Sequence, residues 1–112
     1  MGNAPYPGEF EQMVLLAILQ LEDEAFALPV LRELDGRAGR KVSRGALYKT
    51  LERLVDKGLL EWQVEDATPD RGGHPRRRFH VTEKGVEALR ASRNALHRLW
   101  EGLDPVLGKP TS

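Results

Sequence analysis

The stretch Ser43-Arg-Gly-Ala-Leu-Tyr-Lys-Thr-Leu-Glu-Arg-Leu-Val-Asp-Lys-Gly58 decides the fold. Ser43 can cap a helix through its hydroxyl, and Gly58 supplies a stop. Between them Leu47, Leu51, Leu54 and Val55 recur at i, i+4, i+7 and i+8, the period of an amphipathic helix. Gly45, Lys49, Glu52 and Arg53 project away from that stripe, with Arg44 in the first turn and Tyr48 at the border. Such a helix buries one side and leaves a largely basic side to water or to an anion.

Toward the N-terminus, a basic loop over 37–42 follows a short helix predicted over 27–34, with Val30, Leu31 and Leu34 inward, Pro29 in its first turn and Gly36 as its stop. A polar connector spans 22–25. Before it, Phe10, Met13, Val14, Ala17, Ile18 and Leu21 keep helical spacing, while Leu15, Leu16 and Leu19 make the other face apolar too. A helix apolar all round is covered on more than one side, by its own domain or by a second subunit. Residues 1–8, with two prolines and two glycines, read as a flexible arm.

Toward the C-terminus, Leu60, Trp62 and Val64 alternate with Glu61, Gln63 and Glu65, and Phe79 and Val81 alternate with Arg78 and His80. Both are half-buried strands by period. Pro69, Gly72, Gly73 and Pro75 place a turn-rich loop between them, giving a hairpin with a long basic tip. Thr82 can cap a last helix running to about Gly102, on which Val86, Leu89, Leu96, Trp100 and Leu103 form a heptad-like seam with Arg93 in the gap. A frayed tail follows over 104–112.

The chain has 112 residues, enough for one domain with one core. It has no cysteine, which excludes disulfides, thiolate metal sites and a cysteine nucleophile. The longest apolar run, Met13–Leu19, is far short of the ~20 residues of a membrane span. Nothing over 1–8 reads as a signal peptide, so a soluble, cytoplasmic protein is expected. Seventeen bases balance seventeen acids, a net charge of zero that weighs against a nucleic-acid partner. The distribution answers this: residues 1–34 carry −5, 35–60 carry +4, 61–70 carry −4, 71–78 carry +4 and the rest +1. Two basic blocks can meet on one face of a fold while the acids lie elsewhere.

The order helix, helix, helix, hairpin, long helix suits a helix-turn-helix pair with a wing. The segment from Ser43 to Trp62 resembles the recognition-helix signature of PadR-type transcriptional regulators, G-x-L-Y-x-x-L-x-R-L-x-x-x-G-L-I. Gly73-His-Pro-Arg-Arg-Arg-Phe-His-Val-Thr-Glu-Lys-Gly85 is similar to that family's wing and following helix start. The likeness runs from about Glu9 to Leu103. Tyr48 matches the signature tyrosine, Arg53 the signature arginine and Gly58 the helix-ending glycine. The wing is longer through 67–70, Phe79 and His80 replace the usual paired tyrosines, and one helix after the wing suits the short C-terminal branch. The resemblance implies a mainly α winged helix-turn-helix with a small β-hairpin wing over 9–82, a C-terminal dimerisation helix over 83–103, a homodimer, repression of transcription and release by a small-molecule effector.

The DNA contacts expected on this reading are Lys41, Ser43, Arg44, Tyr48, Lys49, Arg53, Arg71, His74, Arg76 and Arg77. Each has a plainer reading. Lys49 and Arg44 alone would be a solvated helix face. Tyr48 reaches a phosphate or closes the edge of the core. Arg53 touches DNA or forms an internal ion pair holding its helix to the wing. At least one of Arg76, Arg77 and Arg78 braces the hairpin. His80 and His97 face solvent. The distal seam has no core to pack on, so Phe10, Val14, Leu89, Leu96, Trp100 and Leu103 are expected at the interface of two copies. Trp100 is either an aromatic anchor there or a wall of an effector pocket at the dimer centre. Histidine spacing suggests no metal site, and no cofactor motif or catalytic constellation is visible. The alternative to a DNA-binding regulator is a winged-helix module that binds another protein.

Overall fold

The computed structural model describes residues 6–65 and 75–108. Five α-helices and one two-stranded hairpin follow in order among them: α1 (Glu9–Leu21), α2 (Ala27–Ala38), α3 (Arg44–Asp56), β1 (Leu60–Glu65), β2 (Arg76–Val81), α4 (Glu83–Trp100) and the single turn α5 (Asp104–Leu107). A short 3₁₀ turn, Glu22–Glu24, joins α1 to α2 where the sequence suggests only a polar connector. The hairpin is antiparallel, with Leu60 opposite Val81, Trp62 opposite Phe79 and Val64 opposite Arg77.

The core is one cluster. Val14, Leu15, Ala17 and Ile18 of α1 meet Val30 and Leu34 of α2, Leu47, Leu51 and Leu54 of α3, and Leu60 and Phe79 of the hairpin. Burial of this kind, about 25 cal/mol per Å² of apolar surface, supplies most of the drive to fold. The helix ends follow their local chemistry. Ser43 Oγ accepts from the Ala46 N–H at 3.1 Å, and Thr82 Oγ1 accepts from the Gly85 N–H at 3.0 Å. The expected stop of α2 is displaced: Gly36 stays helical and Gly39, at φ 64°, takes the left-handed position. At the other end of the arm expected over 1–8, Pro7 is buried and the Gly8 N–H donates to Glu11 Oε1 at 3.0 Å.

The sheet departs from simple alternation. Leu60 is buried, but Trp62 is 40% and Val64 55% exposed. The hairpin runs past the core, so its outer half keeps the period of a strand without a surface to cover it. α4 behaves the same way. Its buried residues are Gly85, Leu89 and Ser92, all in its first ten positions, and it ends at Trp100 rather than Gly102. Gly102, at φ 77°, turns the chain, so Leu103 leaves the helical seam, and one turn of α5 replaces part of the expected frayed tail.

The joint between α3, the hairpin and α4 is tightly built. Thr82 Oγ1 donates to the Gly58 carbonyl at 2.7 Å, the Thr82 N–H donates to the Leu59 carbonyl at 3.1 Å, and Lys84 Nζ donates to the Lys57 carbonyl at 3.0 Å. Gly85 lies against that peptide. A Cβ there would overlap the Leu59 carbonyl oxygen and lie 2.6 Å from Val81 Cγ1.

Candidate nucleic-acid interface

The helical period gives α3 three sides. Leu47, Thr50, Leu51 and Leu54 are buried. Arg53 and Lys57 turn toward α1, where Glu11 is enclosed with only 8% of its side chain exposed. Arg53 Nε donates to Glu11 Oε2 at 3.2 Å and Lys57 Nζ donates to both Glu11 oxygens at 2.9 and 3.0 Å. Burial pushes the Glu11 carboxyl up, but the hydrogen bonds from Lys57, the Gly8 N–H and Arg53 outweigh it and hold the pKa below the ordinary glutamate value. The internal ion pair of Arg53 therefore joins α3 to α1, not to the wing. Its second arm donates to Thr50 Oγ1 at 3.3 Å.

This bracket fixes the roll of α3 about its axis. Replacing Glu11 with Gln should cost about 1.5–3 kcal/mol, the range for hydrogen bonds to charged groups, with both freed cations reaching water. A depressed carboxylate stabilises fully above its unfolded-state pKa and loses that contribution as pH falls through the lower folded-state value. The gap between wild type and E11Q in urea titrations should therefore be constant near neutrality and shrink in acid. A gap independent of pH down to complete protonation would exclude the ionic bracket.

The third side of α3 is the exposed one. Gly45 and Lys49 lie on it, flanked by exposed Lys41, Ser43 and Arg44 at the helix start. Glu52 and Asp56 follow on the same ridge, so the N-terminal half is basic and the C-terminal half acidic. Tyr48 faces the cleft between α3 and the hairpin rather than the ridge.

The three hairpin arginines have separate surroundings. The Arg76 guanidinium stacks on the Phe26 ring at 3.5 Å and that of Arg77 on Trp62 at 4.5 Å. Arg78 reaches Gln63 at 3.1 Å, Glu65 at 3.4 Å and Asp23 at 3.7 Å, and so braces the hairpin. His80 meets Glu61 across the strands at 3.3 Å, and His97 is exposed. Arg71 and His74, both expected to touch DNA, lie outside the described residues. A groove of about 690 Å³ runs between the start of α2, Tyr48 and β2, and Arg32, Arg76 and Arg77 border it. Arg32 is absent from the sequence-based set because it sits in an acidic stretch. Only the fold brings it to the basic blocks.

Ridge and groove together make a surface on which a helix start and a strand both present cations. An α-helix such as α3 is slim enough for a major groove about 12 Å wide. Stacking on Phe26 and Trp62 holds two guanidinium groups in place while leaving their N–H edges free to donate.

The residues expected to join two copies divide differently. Val14 is completely buried in its own protomer and Leu89 nearly so, packed on the winged core. Val14 has no side chain to offer a second copy, whereas Leu89 still lines an open hollow with Leu16, Leu19 and Val86. Phe10 is half-buried under Arg40, whose guanidinium lies 5.1 Å from its ring. Leu96 and Trp100 are exposed on α4, as is Leu99, at 73%, although the seam spacing passes over it, and Leu103 is exposed beyond the Gly102 turn. Leu16 and Leu19 are exposed on α1. Among the described residues no helix is long and apolar enough to cross a membrane, and no group of three His, Asp or Glu side chains could hold a metal ion.

Known structures share this fold. A PadR-like transcription factor from Bacteroides fragilis is 28% identical, with a TM-score of 0.68 over 87% of this chain and 88% of that one. A PadR family transcriptional regulator from Eggerthella lenta is 26% identical, with a TM-score of 0.65 over 91% and 88%. A PadR-like regulator from Bacillus cereus, 23% identical with a TM-score of 0.69 over 90% and 93%, has the same fold. No curated protein sequence matches the chain. The family model for PadR-like transcriptional regulators matches residues 15–91, from α1 to the middle of α4. The winged helix-turn-helix, the basic ridge and the matched span agree: this chain belongs to the PadR-like family of transcriptional regulators.

Proposed function

We propose that the protein is a sequence-specific, homodimeric repressor that binds a palindromic operator. The observation that carries this reading is the exposed basic start of α3, with Arg44 and Lys49, together with the stacked arginines of the wing. Lys41, Ser43, Arg44 and Lys49 enter the major groove, while Arg76 and Arg77, with Arg71 and His74 of the wing tip, take the flanking backbone. Tyr48, from the cleft, closes on a phosphate between them. Arg53 stays with Glu11. The exposed patch of Leu96, Leu99, Trp100 and Leu103 on one copy packs against Phe10, Leu16 and Leu19 of the other. This sets two α3 helices on half-sites about 10 bp apart. A small-molecule effector held against Trp100 at the dimer centre would release the operator, and the protein works in the cytoplasm with the genome.

Gel-shift titration on the promoter of its own gene tests the DNA reading. Lys49→Ala should weaken binding about tenfold and lower the slope of log affinity against log salt by about one. Unchanged affinity and slope would remove Lys49 from the contacts. A protein complex stable in high salt, with no DNA retardation in low salt, would instead favour the protein-binding module.

A further inference from the structure

A second site lies in the notch between α3 and the wing. It is a cavity of about 170 Å³, open on one side. Leu51, Val55 and Phe79 form its apolar floor, and Tyr48 and Trp62 present aromatic surface at its walls. Glu52 and Asp56, one helical turn apart on α3, stand at its rim. Among the described residues neither has an ion-pair partner.

Arg77 shows what chemistry the notch accepts. The register places Trp62 opposite Phe79, with Arg77 two residues before Phe79 on the same strand face. From there its guanidinium lies over the indole, 4.5 Å from the ring. An aromatic face and nearby carboxylates attract a flat or alkylated cation, both by the ring quadrupole and by charge. With two acids and one arginine at its lining, the notch carries a formal charge of −1 at neutral pH, which one monocation would cancel. The size admits a group of few heavy atoms. Inside the notch a phosphate would meet the two carboxylates, so its depth suits a cation, while Tyr48 and Arg77 reach DNA only from its outer edge.

We propose that this notch binds a small organic monocation, a guanidinium or short alkylammonium, against Trp62 and Tyr48 with its charge toward Glu52 and Asp56, in competition with Arg77 for the indole. The site shares Tyr48 and Arg77 with the proposed DNA contacts but lies apart from the start of α3 and from the α4 patch, and a titration without DNA tests it independently of the DNA reading.

Methylguanidinium chloride titrated into the ¹⁵N-labelled full chain provides the test, with sodium chloride at matched ionic strength as control. Trp62 and Trp100 give two indole N–H signals, assigned with Trp62→Phe. The Trp62 signal should shift saturably with half-saturation on the order of 10 mM, the scale set by one cation–π contact and exposed charge contacts, while the Trp100 signal stays. The E52Q/D56N variant should raise half-saturation about tenfold through loss of the rim charge. Arg77→Ala should lower it several-fold, since it removes the internal competitor and leaves the cavity more negative. All the altered side chains are exposed, so the core is untouched. A shift that is linear and equal in sodium chloride, or a half-saturation indifferent to both variants, would overturn the proposal.

Discussion

Gly85→Ala should destabilise the protein by about 2–3 kcal/mol, lowering Tm by roughly 10–15 °C. Helix propensity alone argues the other way, because alanine in a helix gains up to ~1 kcal/mol over glycine. Packing reverses the sign. The added Cβ would overlap the backbone oxygen of Leu59 and press on Val81 Cγ1. The oxygen cannot swing aside freely, since it accepts the Thr82 N–H at 3.1 Å. Gly36→Ala provides the matched control. Gly36 lies inside α2 with nothing within 4 Å of its added Cβ, so that change should stabilise by about 0.5–1 kcal/mol. Thermal and urea unfolding of the two variants measure the contrast. A Gly85→Ala protein as stable as wild type would mean that the joint yields without cost.

On the proposed homodimeric reading, Leu96→Glu combined with Trp100→Glu should convert the protein from dimer to monomer and weaken operator binding by at least about a hundredfold, the loss expected when two linked contacts become independent. Neither side chain belongs to the core, so the circular dichroism spectrum should be unchanged. Each introduced carboxylate would lose its hydration inside an apolar contact. Analytical ultracentrifugation measures the first effect and gel shift the second. A variant that sediments as a dimer would place the subunit contact elsewhere, and a monomer with full affinity would remove dimerisation from the binding model.

Much of this architecture was legible because local chemistry and period agree. Ser43 and Thr82 cap as their hydroxyls suggest, and the stripe from Leu47 to Leu54 is buried as its spacing requires. The winged fold and the family follow from the same motifs. What failed was the inference from period to burial at the ends of elements. Trp62 and Val64 alternate correctly but overhang the core, while Val14 is consumed by it, because a period states which residues share a face and not how far the neighbouring layer extends. The Glu11 bracket was hidden for another reason. Glu11 and Arg53 are 42 positions apart, and no local rule joins them. Cation stacking on Phe26 and Trp62 was equally invisible in one dimension, since it depends on hairpin register and on where α2 begins. The α2 terminus slipped from Gly36 to Gly39 because two glycines competed, and only the later one takes a left-handed conformation.

The clasp of Thr82 on the Gly58 carbonyl, reinforced by Lys84 on Lys57, has a mechanical meaning. It welds the end of α3 to the beginning of α4, so the two helices form one rigid elbow with the hairpin folded inside. α4 rises about 1.5 Å per residue, which makes its 18 residues an arm of roughly 27 Å. A rotation of a few degrees at the far end of such an arm displaces the elbow by an ångström or more. In the proposed homodimer, a ligand that changed how two such arms cross would therefore alter the separation of the two α3 helices.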